Sequence, residues 1–138
     1  MRQEQFHYKD DDYDVAITVR QADVRAGVLR STILGEQFRA FRKAEEEHPD
    51  QPPNIIERAI ATLTYPACIA AVLKIENTDL NKPAKLQLPL TLEQFMALPD
   101  ALAYLWEEAA LHVNPHWAPR APAGEGKEPS TETNLGVV

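Results

Sequence analysis

One stretch limits what this chain can fold into more than any other: residues 91–117, TLEQFMALPDALAYLWEEAALHVNPHW, which hold both tryptophans. Leu98, Leu102, Leu105, Trp106, Ala109 and Val113 recur there at helical spacing and form one apolar face. Such a face must be covered by the rest of the chain, by a second copy or by a partner. The stretch carries its own punctuation. Thr91 with Gln94 makes a capping box that opens a short helix over Leu92–Leu98. Pro99 suits the first turn of the next helix, with Leu98 as the joint, and Asn114-Pro115 ends it near Val113.

Upstream, Tyr13, Val15, Ile17 and Val19 alternate with Asp14, Ala16 and Thr18, which predicts a short β-strand. Its only visible intrachain partner is a weak candidate at Lys85–Leu88, so pairing is either long-range or between subunits. Thr18 with Gln21 fits a capping box for a helix over Arg20–Glu47, with a face marked by Val24, Val28, Ile33, Phe38 and Phe41. Gly27 and Gly35 weaken that helix and leave room for a break near Gly35. After the proline-rich turn His48–Pro53, Asn54 and Glu57 start a second helix. Ile56, Ala59, Ile60, Leu63, Ala67 and Ala70 share a face there, widened by Ile69, Val72 and Leu73. Pro66 imposes a kink or a restart within it.

The expected architecture is therefore mainly α. A small domain of about four helices with a short N-terminal strand occupies residues 13–117. A flexible acidic arm (residues 1–12) precedes it. A disordered tail (residues 118–138), rich in Pro, Gly, Ser, Thr and Glu, follows. With 138 residues and a 44% hydrophobic share, a single core is the natural prior. A net charge of −7 disfavours general affinity for nucleic acid. The N-terminus lacks the apolar segment of a secretory signal, no apolar run is long enough to span a bilayer, and the single cysteine suits a reducing compartment, so a cytoplasmic location is expected.

Chemistry is harder to find. His112 and His116 are separated by Pro115 and do not share a helical face, and Glu108 with His112 supplies too few ligands for a metal. Glu107 and Glu108 are adjacent and point apart, and no glycine-rich phosphate loop exists. Cys68 sits in an apolar run without a neighbouring base, as a structural thiol does. The expectation is no catalytic residues, no metal and no cofactor. Trp106 reads as core; Trp117 reads either as a cap on the helical core or as part of a binding surface. A basic stripe between Arg20 and Lys43 leaves one further reading, a helical regulator contacting nucleic acid.

The Pro-containing apolar helix LTYPACIAAVLKIE, followed by LTLEQFMALPDALAYLWEEAALHVNPHW, resembles the tail assembly chaperones of long-tailed bacteriophages over roughly Tyr13–Trp117. The resemblance implies a non-enzymatic protein, acting in the host cytoplasm and absent from the mature virion. It would bind the long, apolar, helical tape-measure protein and keep it soluble. Homo-oligomers are expected, with no membrane or nucleic-acid partner. Ile56, Ile60, Leu63, Leu98, Leu102, Leu105, Trp106 and Trp117 become the candidate partner-binding or self-association residues. The family also implies a programmed −1 ribosomal frameshift that appends a segment recruiting tail-tube protein, for which Gly126-Lys127 is a codable position. The alternative within the same setting is a structural component that stays in the particle, such as a head–tail connector or a minor tail protein.

Overall fold

A computed structural model describes residues 1–119. Its frame is a three-stranded antiparallel sheet in the order β1-β2-β3, where β1 is Gln3–Lys9, β2 is Asp14–Arg20 and β3 is Val72–Asn77. Five α-helices accompany it: α1 (Val24–Glu47), α2 (Ile55–Ala59), α3 (Tyr65–Ala71), α4 (Leu92–Met96) and α5 (Asp100–Val113). The helix-rich character and the strand at Asp14–Arg20 match expectation, but a sheet of three strands replaces a single one.

The N-terminal arm is the first correction. Residues 3–9 are an edge strand in register with β2, from Gln3↔Arg20 to Lys9↔Asp14. Glu4, Phe6 and Tyr8 turn inward and Gln3, Gln5, His7 and Lys9 face solvent, a period of two masked by so many polar side chains. The hairpin closes on Asp10. Its Oδ1 accepts from the backbone N–H groups of Asp12 (2.8 Å) and Tyr13 (2.7 Å), and its Oδ2 accepts from the Tyr8 hydroxyl at 2.6 Å.

The second correction concerns β3. Val72 and Leu73 leave the helical course for β3: Val72 pairs with Val19 of β2, and Leu73 is the extra residue at the irregularity between Thr18↔Lys74 and Val19↔Val72. Lys85–Leu88 forms no strand. Leu86 docks instead at the end of β3, where the Asn77 side chain donates to the Leu86 carbonyl (3.0 Å) and accepts from its N–H (2.9 Å).

The helices follow their local chemistry with two differences. α1 starts at Val24, because Asp23 rather than Thr18 caps it, accepting from the Ala26 N–H at 2.8 Å. It then runs unbroken through Gly27 and Gly35. Asn54 caps α2 as expected, accepting from the Ile56 and Glu57 N–H groups. Between α2 and α3 the chain makes a π-helical turn, Ile60–Thr64, in which the Tyr65 N–H bonds the Ile60 carbonyl. Pro66 explains this wider turn: it has no N–H for Thr62 and its ring crowds that carbonyl. The capping box at Thr91 and Gln94 is fully formed. The expected tail falls on residues 118–138, which lie outside the described residues beyond Pro119.

The core sits between one face of the sheet and the helices. Val15, Ile17 and Val19 are completely buried, and α5 crosses over β1 and β2 while α3 packs between α1 and α5. Tyr65, Phe95 and Trp106 form an aromatic chain from α3 through α4 to α5, with centroid separations of 5.5 and 5.8 Å. Asn114, also fully buried, ends α5 and ties it to the β2–α1 connection. Its Oδ1 accepts from the Ala22 N–H at 2.7 Å, and its Nδ2 donates to the carbonyls of Arg20 (3.0 Å) and Ala110 (3.2 Å).

Replacing Asn114 by alanine orphans these buried groups, and urea denaturation should show a loss of about 2–3 kcal/mol. A second expectation comes from three aspartates held below their ordinary pKa of 3.8. Asp10 is lowered first by the Tyr8 hydroxyl, Asp14 by the Thr78 hydroxyl and then by His7, and Asp23 by the Ala26 N–H. The folded state keeps these groups ionised where the unfolded chain binds protons. Their stabilisation is therefore present above pH 3.8 and lost as pH falls through the folded-state values. Melting temperatures recorded down this range should drop, and less steeply in Asp10→Asn.

Candidate partner-binding cleft

The sequence-derived contact residues separate into two groups. Leu102 and Trp106 are completely buried, and Trp117 is 7% exposed. They line the domain's own core and have no surface to offer a partner, which corrects their assignment as contact residues. Trp117 is held there by a short 3-10 turn, Pro115–Trp117, and by the Arg30 guanidinium, 5.1 Å from its ring centroid. The helical face that demanded a cover in the sequence is thus largely covered by β1, β2 and α3, with Phe95 of α4 against Trp106. Leu105 is half-buried.

The other group stays accessible. Ile56 and Leu63 are exposed, at 72% and 38%. Ile60 and Leu98 are half-buried, pack on the edge of the core and line one open cleft of about 250 Å³. The cleft lies where the π-helical turn, α4 and the first half of α5 meet. Phe95 and Ala103 complete its floor, while Met96 and Tyr104 stand at its rim and remain substantially exposed. Its position follows from local sequence. The π turn displaces Ile60 and Thr64 from the regular helical course, and the Leu98-Pro99 joint turns α4 away from α5, leaving a gap between them.

Two carboxylates border this apolar surface, Asp100 and Glu107, and no cationic side chain among the described residues lines it. Glu107 accepts from the Thr64 hydroxyl at 2.7 Å, which fixes the π turn against α5. Asp100 lies in the first turn of α5, where the helix dipole favours negative charge. The volume is below that of most small-molecule sites and the cleft is open, so it suits one or two side chains of a docked segment. Sequence periodicity missed Met96, Ala103 and Tyr104 because they lie off the apolar stripe that becomes core. Their only signal was being apolar or aromatic at positions the stripe did not need.

Several titratable groups elsewhere are committed to structure. His7 pairs with Asp14 across the hairpin, and His112 pairs with Glu4 between α5 and β1. Tyr8 is pushed up to about 12, first by its hydrogen bond to Asp10 and then by burial. No group of three metal-ligating side chains occurs among the described residues. No helix among them is long and apolar enough to cross a membrane. Comparison with family models, curated proteins and solved structures finds no match for this chain.

Cys68 on α3 is completely buried, and burial, with the Glu107 charge second, pushes its thiol well above the ordinary value. A thiol reagent such as Ellman's should leave the native protein unlabelled over hours and react at once when urea unfolds it.

Proposed function

We propose that this protein is a non-catalytic helix-binding protein acting as a tail assembly chaperone of a long-tailed bacteriophage. The observation that carries the proposal is the open apolar cleft between the π-helical turn, α4 and α5, lined in part by exposed Met96 and Tyr104, with exposed Ile56 and Leu63 on α2 and the π turn. A folded domain that covers its tryptophans yet leaves these side chains in water has a surface suited to an apolar or amphipathic helix. The client proposed is the tape-measure protein, whose long helical chain offers such segments repeatedly. Many copies bound weakly along one client give avidity without a deep pocket at any single site. The chaperone acts in the host cytoplasm and leaves before the particle matures. A frameshifted extension of this chain recruits tail-tube protein.

Co-expression with the tape-measure protein tests this. The wild-type chain should raise the soluble yield of the client several-fold, and Tyr104→Asp combined with Met96→Asp should abolish the gain. Both positions are exposed, so the doubly substituted protein should keep its stability within about 0.5 kcal/mol. A client equally soluble without the chain would overturn the proposal. Mass spectrometry of purified virions separates a chaperone, absent from the particle, from a connector or minor tail protein, present in fixed copy number.

A further inference from the structure

The cleft between the π-helical turn, α4 and α5 is apolar in its floor but not at its edge. Asp100, Ala103, Tyr104 and Glu107 recur at helical spacing along the side of α5 that lines it. A carboxylate therefore stands at each end of that side, with a methyl group and a phenol ring between them. The two acidic positions are two helical turns apart, about 10 Å along the axis.

Neither carboxylate forms an ion pair among the described residues. Glu107 engages the Thr64 hydroxyl through Oε2, which leaves Oε1 to face the cleft's surroundings. Residues 86–119 contain no lysine or arginine. Arg58 on α2, the cation nearest the π turn in the chain, is directed at α1 instead: its guanidinium lies 5.6 Å from the Phe41 ring centroid and 3.9 Å from Glu45. Exposed Glu57, Glu93 and Glu108 add the same sign on α2, α4 and α5. A helix docked here takes water from Asp100 and from Glu107, which is already half-buried. A carboxylate that loses water without gaining a cation is costly, so a wholly apolar segment and an acidic one are both penalised. A segment that brings a cation to each carboxylate escapes that penalty and gains attraction.

We propose that the cleft selects a basic amphipathic helix, one that carries Lys or Arg two turns apart, for Asp100 and Glu107, with an apolar anchor on the turn between them. The anchor seats among Ile60, Phe95 and Leu98. The apolar stems of the basic side chains lie over Met96 and Tyr104 while their charged ends reach the carboxylates. The proposal rests on the helix-docking role given to this cleft above and names the chemistry of its ligand. Selection then works by penalty as much as by attraction, since neutral and acidic helices with the same anchor leave the two carboxylates unpaired.

Fluorescence anisotropy with the full chain and labelled model peptides tests it. The peptides are Ala-rich helices of about 18 residues, long enough to be helical alone. One carries two lysines two turns apart with leucines on the turn between. A second has glutamates in place of the lysines, a third keeps the first composition but moves the lysines to the opposite face, and a fourth replaces the leucines of the first by alanine. The first should bind roughly tenfold more tightly than each of the others, and its advantage over the second should shrink in high salt. Asp100→Asn combined with Glu107→Gln should remove the preference for lysine; the glutamine amide oxygen still accepts from Thr64, so the fold is kept. A preference that survives this double change would come from the acidic chain as a whole and would overturn the proposal. Equal, leucine-dependent binding of the lysine and glutamate peptides would overturn the basic preference while leaving the helix-docking role intact. Binding of none of the peptides would overturn both, as would a second copy filling the cleft, seen as a dimer mass in sedimentation equilibrium that peptide fails to displace.

Discussion

The fold depends on keeping water from the inner face of β2. Val15, Ile17 and Val19 reach full burial because three conditions hold together. β1 and β3 satisfy the backbone on both edges of the strand, and α5 lies across its face. Each fully buried branched side chain contributes about 1.5–3 kcal/mol. Neither β1 nor β3 achieves this, since each exposes half or more of its residues. The position of α5 then follows from the same requirement. Leu102, Trp106, Ala109 and Val113 are the side chains that close over the sheet, and Asn114 fixes where the helix stops. The remaining helices gather around this two-layer unit.

Several parts of this arrangement were legible in the residues. The Thr91 capping box, the Leu98-Pro99 joint and the stop at Asn114-Pro115 rest on side chain–backbone chemistry within a few residues, and the structure contains all three. Asn54 announced α2 for the same reason. What was hidden depended on partners distant in the chain. β1 looked like a loose acidic arm because only Phe6 and Tyr8 carry its apolar period, and its strand character comes from pairing with β2. β3 looked helical because Val72 and Leu73 extend the apolar arc of the preceding helix; the open edge of β2 draws them out of it.

The candidate site was legible in a similarly uneven way. Ile60 and Leu98 do line one cleft, whereas Leu102, Trp106 and Trp117 are spent on the core. Helical periodicity marks an apolar face without saying what covers it. Here the sheet, which sequence patterning underestimated, supplies the cover. The surfaces left over are of two chemical kinds on different elements. One is an apolar cleft edged by Asp100 and Glu107, and the other is a basic helix with an acidic end. An acidic protein that gathers many of its cations on one exposed helix has a built-in polarity, and that polarity discriminates between partners more than it strengthens any one contact.

The strand order has a consequence for synthesis. β1 and β2 are neighbours in sequence and can close their hairpin on Asp10 as soon as both have left the ribosome. The other edge of β2 waits for β3, since Val15 pairs with Asn77 and the whole of α1 and α2 comes between them. Until then a flat apolar strand shows an unpaired row of N–H and C=O groups, the geometry that recruits foreign strands. The nascent chain therefore passes through an aggregation-prone interval that ends only when Val72–Asn77 docks. The long polar helix made in that interval lengthens the wait while helping to keep the unfinished chain in solution.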